Sequence, residues 1–288
     1  MSLVVFRADA GPGIGAGHVM RCLAFAEVLS DMGWSARFVS NAGAAETVPM
    51  VRAAGHQLDE IHDDDDPAHI AALLPKAVVV DHYGLAADYE RGLAAPGRAV
   101  IVFDDLADRP HDCNFLIDPV PDRAATDYAS IVSDECSLML GPRYAMVRPV
   151  WRTLRAQSLA RLSKEGAVRR IIVSMGSTDP DDVTSRVLSA IGHSGVNAEV
   201  DVVLGSGAPH RERVKAALLP QMRLHIDPPG YPSLVAEADL AIGAAGSSSF
   251  ERAVLGLPSL LVQTAENQMF NIAAFVRSEE HTSELQSH

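Results

Sequence analysis

A histidine follows a glycine-rich turn near the beginning of the chain. Residues 11–17 read Gly-Pro-Gly-Ile-Gly-Ala-Gly, with an apolar, strand-like run before them and a helical pattern after them. Glycines in such a turn let backbone N–H groups approach a ligand at the positive end of the helix. Because that end favours the uncharged imidazole, we expect His18 to be neutral and able to accept a proton. His18 is therefore a candidate general base, and the alternative is a histidine that only caps the helix or packs locally.

Acidic and aromatic side chains follow two other apolar runs. Asp81, His82 and Tyr83 come directly after a run of valines, and Asp104 and Asp105 follow the next apolar run. The carboxyl ends of parallel strands share the edge at which open α/β sheets build their sites. We expect one of these acids to orient a histidine or to bond a ligand hydroxyl, and Tyr83 to cover a ring face or donate a hydrogen bond. The alternative is that the aspartates are ordinary strand-end caps.

Two turns in the second half of the chain combine small residues with hydroxyls. Residues 174–179 read Ser-Met-Gly-Ser-Thr-Asp, and residues 243–251 read Gly-Ala-Ala-Gly-Ser-Ser-Ser-Phe-Glu. Small residues leave room for a diphosphate at a helix amino terminus, where serine hydroxyls add donors to the backbone N–H groups. Glu251 can accept two hydrogen bonds from a ribose diol, although the helix dipole alone also favours a glutamate at a helix start.

Two other kinds of site are disfavoured. Residues 11–16 fit the dinucleotide fingerprint, but that fingerprint also requires an acidic residue about 20 positions later, at the end of the second strand, to hold a ribose. That strand ends in Ser40 and Asn41, which disfavours NAD. His62 and the acidic residues 63–66 resemble a metal cluster, but a run of carboxylates in a loop is usually solvated, so we expect no metal site.

Composition bounds the size and class of the protein. A chain of 288 residues suits two domains of about 100 to 150 residues each. The formal charge of −13 disfavours nucleic acid and anionic lipid as partners. No apolar run reaches the roughly 18 residues of a membrane span, and the amino terminus lacks a secretory pattern, so we expect a cytoplasmic protein without a membrane partner. Cys22, Cys113 and Cys136 are widely spaced, which predicts buried thiols rather than disulfides or a zinc site.

Apolar runs alternate with helical patterns along the whole chain, which predicts an α/β fold of parallel sheets. We predict strands in the first half at 3–8, 36–40, 77–80, 99–103 and 115–117, with a helix at 19–32. Strands in the second half are predicted at 170–174, 199–204, 223–226, 240–243 and 259–262. The expected organisation is two Rossmann-like, doubly wound domains facing a cleft, namely an amino-terminal domain at 1–148, a connecting helix at 149–166 and a carboxyl-terminal domain at 167–276.

The end of the chain has a different character. Residues 277–288 read Arg-Ser-Glu-Glu-His-Thr-Ser-Glu-Leu-Gln-Ser-His and have no apolar periodicity. They match the translation of a common sequencing-library adapter. We therefore interpret them as a non-native tail, with the natural chain interrupted near Val276, and exclude them from the expected fold.

Taken in order, these sequence elements resemble one enzyme family. The matching segments are 6–9 (Phe-Arg-Ala-Asp), 14–22 (Ile-Gly-Ala-Gly-His-Val-Met-Arg-Cys), 81–84 (Asp-His-Tyr-Gly), 141–148 (Gly-Pro-Arg-Tyr-Ala-Met-Val-Arg) and 247–251 (Ser-Ser-Ser-Phe-Glu). They resemble the UDP-2,4-diacetamido-2,4,6-trideoxy-β-L-altropyranose hydrolases of pseudaminic acid biosynthesis, over about residues 3–276. That family is similar to the lipid II glycosyltransferase, which implies the two-domain GT-B architecture with UDP held mainly by the carboxyl-terminal domain.

The resemblance implies that water cleaves the sugar C1–O bond with inversion at C1, releasing UDP and the free diacetamido sugar, on a route to flagellin glycosylation. It implies catalytic roles for His18, Asp81 and Tyr83, with His18 activating the water. Substrate-binding roles are expected for Gly15, Gly17, Arg21, Arg143, Gly176, Ser177, Ser247, Ser248, Glu251, Asn267 and Gln268. No metal or cofactor is implied, and we expect a monomer.

The leaving diphosphate should also find positive charge in this chain. The amino ends of the helices expected near Asp179 and Ser248 would stabilise its negative charge. Arg148 is a weaker candidate for a phosphate or interdomain contact.

Two alternative functions stay open at this point. A UDP-sugar glycosyltransferase shares the fold and the UDP site, and these do not decide whether water or a sugar hydroxyl attacks. A catalytically impaired UDP-sugar binding protein also shares the UDP site, but it has no need for a base at His18.

Overall fold

Two parallel β-sheets organise the chain, and each belongs to its own unit. The computed structural model describes residues 2–11, 13–61, 66–163, 166–265, 268–269 and 272–277. The first unit contains Met1–Arg148 and the end of the chain from Ala273, and the second contains Pro149–Ile272. Of the predicted tail at 277–288, only Arg277 is described, and residues 278–288 lie outside the described residues.

The first unit is built on a seven-stranded sheet whose neighbouring strands are all parallel. Its strands are β1 (Leu3–Ala8), β2 (Ser35–Asn41), β3 (Gln57–Ile61), β4 (Ala77–Asp81), β5 (Ala99–Phe103), β6 (Phe115–Asp118) and β7 (Ser137–Leu140). They lie in the order β3-β2-β1-β4-β5-β6-β7. The helices are α1 (Gly17–Asp31), α2 (Ala44–Thr47), α3 (Met50–Ala53), α4 (Asp66–Ala72) and α5 (Ala87–Leu93), with short 3₁₀ turns at Ala125–Asp127 and Pro142–Tyr144.

Apolar side chains cover both faces of this sheet. Val78, Val79 and Val80 of β4 are all buried, as expected for a strand with helices on either side. On one face the rings of Phe6 and Phe38 stack with their centroids 5.0 Å apart, in a cluster to which α1 also contributes. The continuous apolar run in the sequence of β4 therefore reflects the burial of both faces of this strand.

The second unit is built on a five-stranded parallel sheet. Its strands are β8 (Arg170–Ser174), β9 (Glu199–Leu204), β10 (Met222–Ile226), β11 (Leu240–Ala244) and β12 (Ser259–Val262), in the order β10-β9-β8-β11-β12. The helices are α6 (Pro149–Leu162), α7 (Val183–Ser194), α8 (Arg211–Ala216), α9 (Tyr231–Ala236) and α10 (Ser248–Leu255). In the described part of the chain, no helix is long and apolar enough to cross a bilayer.

The helix predicted to connect the two domains packs within the second unit. Trp151 of α6 is buried and meets the ring of Tyr231 edge to face, with centroids 5.7 Å apart. Leu159 of α6 lies against Gly256, directly after α10, where a Cβ would come within 2.5 Å of a leucine methyl carbon. α6 is thus part of the body of the second unit.

Each sheet has one point at which the strand order reverses. In the first sheet the chain adds β2 and β3 on one side of β1 and then β4 on the other, so the reversal lies between β1 and β4. In the second sheet it lies between β8 and β11 for the same reason. The connections leave the sheet in opposite directions there and open a crevice at the carboxyl ends of the two strands, where ligands of open α/β sheets bind.

Every strand predicted from the sequence is present, and two further strands were missed. The missed strands, β3 and β7, are the two edges of the first sheet. In β3 only Leu58 is buried, and β7 has no buried residue. An edge strand contacts fewer apolar neighbours, so its sequence lacks the apolar run that identifies an interior strand.

A buried cluster of charges joins the loops that follow β5 and β6. The phenol oxygen of Tyr128 lies 2.9 Å from Oδ2 of Asp104 and 2.8 Å from Oδ2 of Asp118. A phenol has one proton and can donate to only one of them. Burial raises the pKa of Asp118 to about 6, whereas for Asp104 the effect of burial is outweighed by His111 and Arg109, which lower its pKa. Below about pH 6 the second proton of this contact therefore belongs to Asp118.

We predict that Asp118 makes the protein less stable as the pH rises. Its pKa of about 6 in the folded protein exceeds the ordinary value of 3.8, so the folded state binds more protons between these values. The free energy of unfolding of the native protein, relative to that of Asp118→Asn, should fall by about 1.4 kcal/mol between roughly pH 5 and pH 8. Urea titrations at both pH values measure this, with the exposed Asp31→Asn as control. A constant difference between native protein and Asp118→Asn would contradict the proton assignment.

Candidate active site

The predicted glycine-rich turn lies between β1 and α1, at the carboxyl edge of the first sheet. The Gly11 N–H donates to the Gly15 carbonyl at 3.1 Å, and the Gly15 N–H donates to the Gly11 carbonyl at 2.7 Å. Gly15 has a φ of +80°, a conformation that residues with side chains disfavour. α1 begins at Gly17, so His18 lies in its first turn, beside the reversal point between β1 and β4.

His18 pairs with Asp81, the last residue of β4. The Nδ1 atom of His18 lies 2.5 Å from Oδ1 of Asp81, which is completely buried. A carboxylate can only accept, so Nδ1 carries the proton of this hydrogen bond. In the neutral ring, Nε2 is then the nitrogen with the lone pair. His18 can therefore accept a proton at Nε2, and the carboxylate of Asp81 stabilises the imidazolium that results.

The carboxylate of Asp81 is held by donors from one side of α1. Arg21 donates from Nε to Oδ2 at 2.5 Å and from Nη2 to Oδ1 at 2.6 Å, and the Cys22 thiol lies 3.7 Å from Oδ2. Burial alone would raise the pKa of Asp81, but Arg21 and His18 outweigh it and lower the pKa to about 2. Asp81 is therefore ionised at any pH near neutrality.

The expectation that Arg21 binds substrate is not supported by its geometry. Its Nη1 donates to Oδ2 of Asp105 at 2.9 Å, so all three nitrogens of the guanidinium lie against carboxylates. The hydroxyl of Tyr83 donates to the same Asp105 oxygen at 3.3 Å, and its ring meets the His18 ring edge to face, with centroids 4.5 Å apart. Arg21 thus fixes the two acids, and Asp105 in turn holds Tyr83 beside His18.

A second histidine near this edge of the sheet is already fully bonded. The Nδ1 atom of His82 accepts the Gly84 N–H at 2.9 Å, and its Nε2 lies 3.1 Å from Oδ2 of Asp9. Burial would raise the pKa of Asp9, but hydrogen bonds from His82 and Arg7 outweigh it and lower the pKa. Because both ring nitrogens of His82 are engaged, His18 is the histidine of this edge whose Nε2 suits a base.

The serine-rich turn of the second unit lies between β11 and α10, beside the reversal point between β8 and β11. α10 begins at Ser248, and Ser247 at the cap position makes no capping hydrogen bond with its side chain. The N–H groups of Ser249 and Phe250 already donate to backbone carbonyls, so an anion would be attracted here by the positive end of the helix and by the serine hydroxyls. Glu251 lies in the first turn of α10, and Nε2 of Gln268 comes within 3.7 Å of where a Cβ at Gly246 would be. The structure thus brings four predicted residues to one turn.

The other predicted diphosphate turn is built differently. Gly176 and Ser177 lie on the turn after β8, and the Ser177 carbonyl accepts a backbone hydrogen bond from the loop after β9. α7 begins later, and the Asp179 carboxylate accepts the N–H groups of Val183 and Thr184, each at 2.9 Å. Since an aspartate already compensates this helix end, the expectation that it stabilises a diphosphate is not supported.

Three further candidates lie away from these two turns or outside the described residues. Arg143 is exposed in a 3₁₀ turn, with its guanidinium carbon 5.0 Å from the centre of the Tyr144 ring. Arg148 is committed to Glu27 of α1, with Nη2 2.6 Å from Oε1, which leaves it a structural role. Asn267 lies outside the described residues.

The metal and disulfide expectations have different outcomes. The acidic run at His62 lies almost wholly outside the described residues, which resume at Asp66. Within the described ranges, no three His, Cys, Asp or Glu side chains come together as a metal site. The cysteines are free thiols. Their wide spacing along the chain does not mean that they are far apart in space, because the sulfur atoms of Cys113 and Cys136 lie only 3.6 Å apart.

Sequence reasoning missed Arg252, a buried arginine behind the serine-rich turn. It is 3% exposed and donates to the side chains of Ser248 and Ser249. The signal was present in the helical periodicity: Ser249, Arg252 and Leu255 are three residues apart and all buried, so the arginine falls on the inner face of α10.

The fold has a counterpart among solved glycosyltransferases. The MurG protein of Acinetobacter baumannii matches with a TM-score of 0.61 at 15% identity, over 96% of this chain and 84% of that one. At this identity the likeness shows the fold alone, and that fold is GT-B. The predicted class, two doubly wound α/β units of the GT-B type, is confirmed.

Three curated proteins are similar in sequence, two of which are described next, whereas no family model matches the chain. The UDP-2,4-diacetamido-2,4,6-trideoxy-β-L-altropyranose hydrolase of Campylobacter jejuni is 24% identical over 250 residues, which cover 85% of each chain. The spore coat polysaccharide biosynthesis protein SpsG of Bacillus subtilis is 29% identical over 139 residues, 47% of this chain and 40% of that protein. The resemblance inferred from the short sequence elements is thereby confirmed.

We predict that Asp81→Asn destabilises the first unit strongly. The substitution removes a buried charge and leaves Arg21 facing an amide, and breaking a buried pair in this way typically costs about 3 to 5 kcal/mol. Urea denaturation at neutral pH measures the loss. The matched control is Asp88→Asn, which breaks the exposed pair between Asp88 and Arg91 and should leave the free energy of unfolding unchanged. Equal stability of both variants would contradict the role assigned to Asp81.

Proposed function

We propose that this protein is an enzyme acting on UDP-sugars, and specifically a hydrolase. Its substrate in this proposal is a UDP-linked 2,4-diacetamido-2,4,6-trideoxy sugar, cleaved at C1–O with inversion for pseudaminic acid biosynthesis. The observation that carries the proposal is the pair of His18 and Asp81 at the reversal point of the first sheet, with Nδ1 bonded and Nε2 left to act as a base. The similarity to the Campylobacter jejuni hydrolase supports the choice of substrate.

His18 performs the proton transfer in this mechanism. Nε2 takes a proton from a water molecule while the water oxygen attacks C1, and the electron pair of the C1–O bond passes to the departing UDP oxygen. Asp81 stabilises the imidazolium and keeps the ring in the required tautomer. General-base assistance of this kind contributes roughly 10²- to 10⁴-fold in rate. Tyr83, in contact with the His18 ring, is assigned to the sugar or the attacking water.

The second unit binds UDP in this proposal. The amino terminus of α10 and the hydroxyls of Ser247 and Ser248 hold the diphosphate, whose charge grows as C1–O breaks. Glu251 accepts hydrogen bonds from the ribose diol, and Gln268 contributes from beside Gly246.

Transfer of the sugar to an acceptor hydroxyl is the second candidate. It is favoured by the GT-B fold shared with MurG, because the fold alone does not determine the nucleophile. Water and an acceptor hydroxyl would use the same base, so the two candidates differ only in what occupies the place next to His18.

We predict that the protein releases UDP from the UDP-diacetamido sugar with no acceptor present. Phosphorus NMR follows the release, and a reaction in ¹⁸O-labelled water shows which bond breaks. Attack at C1 should return UDP without label, whereas attack at phosphorus would put the label into UDP. A folded protein that binds UDP but releases none from the substrate would contradict hydrolysis and favour transfer.

We predict that His18→Asn lowers turnover by roughly 10²- to 10⁴-fold, because asparagine cannot take the proton. UDP affinity, measured by calorimetry, should stay within a few-fold of the native value, because the nucleotide is assigned to the other unit. The control is His193→Asn, which changes an exposed histidine in the last turn of α7 and should keep full activity. Unchanged turnover in His18→Asn would exclude His18 as the base.

A further inference from the structure

Arg252 is an arginine buried inside the second unit with its guanidinium turned back to the start of its own helix. Nη1 donates to the Ser248 hydroxyl oxygen at 3.0 Å, and Nη2 donates to the Ala244 carbonyl at 2.8 Å and to the Ser249 hydroxyl oxygen at 3.1 Å. The side chain therefore bridges the last residue of β11 and the first two residues of α10.

The charge of this guanidinium has only neutral acceptors. Its Nη atoms donate to two hydroxyl oxygens and a carbonyl oxygen, and its Nε is buried without a hydrogen-bond partner. Burial lowers the pKa of Arg252, against the opposing influence of Tyr231 and Glu251. A buried charge without a counter-ion is costly, and in a folded protein it is usually compensated by a partner.

The backbone around Arg252 is shaped to accept the guanidinium. A Cβ at Gly243 would lie 2.8 Å from Nη1 of Arg252 and 3.1 Å from the carbonyl oxygen of Ser174. Gly243 belongs to β11 and Ser174 ends β8, the two strands between which the order of the second sheet reverses. The positive charge is thus located at the edge of the sheet where a ligand is expected.

We propose that Arg252 is the positioning residue of the diphosphate subsite and that the missing counter-ion is the diphosphate of the ligand. This inference rests on the proposed function, because it takes a nucleoside diphosphate as the ligand of the second unit. Arg252 acts through Ser248: since the hydroxyl oxygen of Ser248 accepts from Nη1, its own proton is left to donate to a phosphate oxygen. The guanidinium also adds a full positive charge behind the partial charge of the α10 amino terminus.

The test measures how much of the nucleotide affinity depends on the phosphates. UDP binding is followed by calorimetry and uridine binding by NMR titration, in the native protein and in Arg252→Met, Arg252→Lys and Arg186→Met. Arg252→Met should weaken UDP binding at least tenfold and leave uridine binding within about twofold. Arg252→Lys, which keeps the charge and an N–H donor group, should recover most of the UDP affinity. Arg186→Met removes the same charge from an exposed position on α7 and should change neither ligand.

A second variant separates the hydrogen-bond relay from the stability of the unit. Ser248→Ala keeps Arg252 buried but removes the hydroxyl between it and the phosphate, so it should also weaken UDP selectively. In the double variant with Arg252→Met, the two losses should not add, because both remove one connected contact. Ser248→Ala provides this readout even if Arg252→Met does not fold.

The outcomes distinguish this inference from the function on which it rests. A native protein that binds no UDP would overturn the proposed function. Native UDP binding with full affinity in Arg252→Met, or in Ser248→Ala where the first variant does not fold, would overturn the role of Arg252 alone. Equal losses of UDP and uridine would show that Arg252 only supports the fold of the turn, which also overturns it.

Discussion

The carboxylate of Asp81 fixes the start of α1 against the first sheet, and the candidate base depends on this contact. It accepts hydrogen bonds from His18 and Arg21 on successive turns of one helix, with the Cys22 thiol also against it. A buried carboxylate requires such donors, because without them its desolvation would be too costly. The same hydrogen bonds to Asp81 therefore stabilise this edge of the sheet and orient the imidazole, so a change that weakens the ion pair also misplaces the base.

The two candidate turns each lead into a helix that has no side-chain cap. Neither α1 nor α10 has a capping hydrogen bond from the side chain at its cap position, although such a bond is typically worth about 1 kcal/mol. By contrast, α7 is closed by Asp179. The helices α2, α3, α5, α8 and α9 also lack such a bond, so a missing cap does not single out α1 and α10. What distinguishes α1 and α10 is that they follow the glycine-rich turn and the serine-rich turn, beside the reversal points of their sheets.

The sequence best predicted those features that are determined by residues close together in the chain. The strands buried on both faces were predicted correctly, because a short continuous apolar run such as that of β4 indicates such a strand. The edge strand β3 was missed because only one of its residues, Leu58, is buried. The glycine-rich turn after β1 and the serine-rich turn after β11 were also predicted from their residue types. The hydrogen-bond partners of Arg21 and Arg252 could not be predicted from the sequence. A long side chain near a helix start can face the ligand or the protein interior, and only the distances in the structure show which.

The close approach of Arg252 to Gly243 constrains how this part of the chain can evolve. An alanine at position 243 would place its methyl group 2.8 Å from the guanidinium and 3.1 Å from the Ser174 carbonyl oxygen, so the end of Arg252 must shift from its present contacts or residue 252 must become shorter. Shortening residue 252 first is also costly, because a glycine at 243 with a short residue at 252 leaves a cavity behind the helix start. Descendants of this sequence should therefore keep both residues or exchange both, and the two positions should covary among relatives even though they lie on different elements of the sheet and helix.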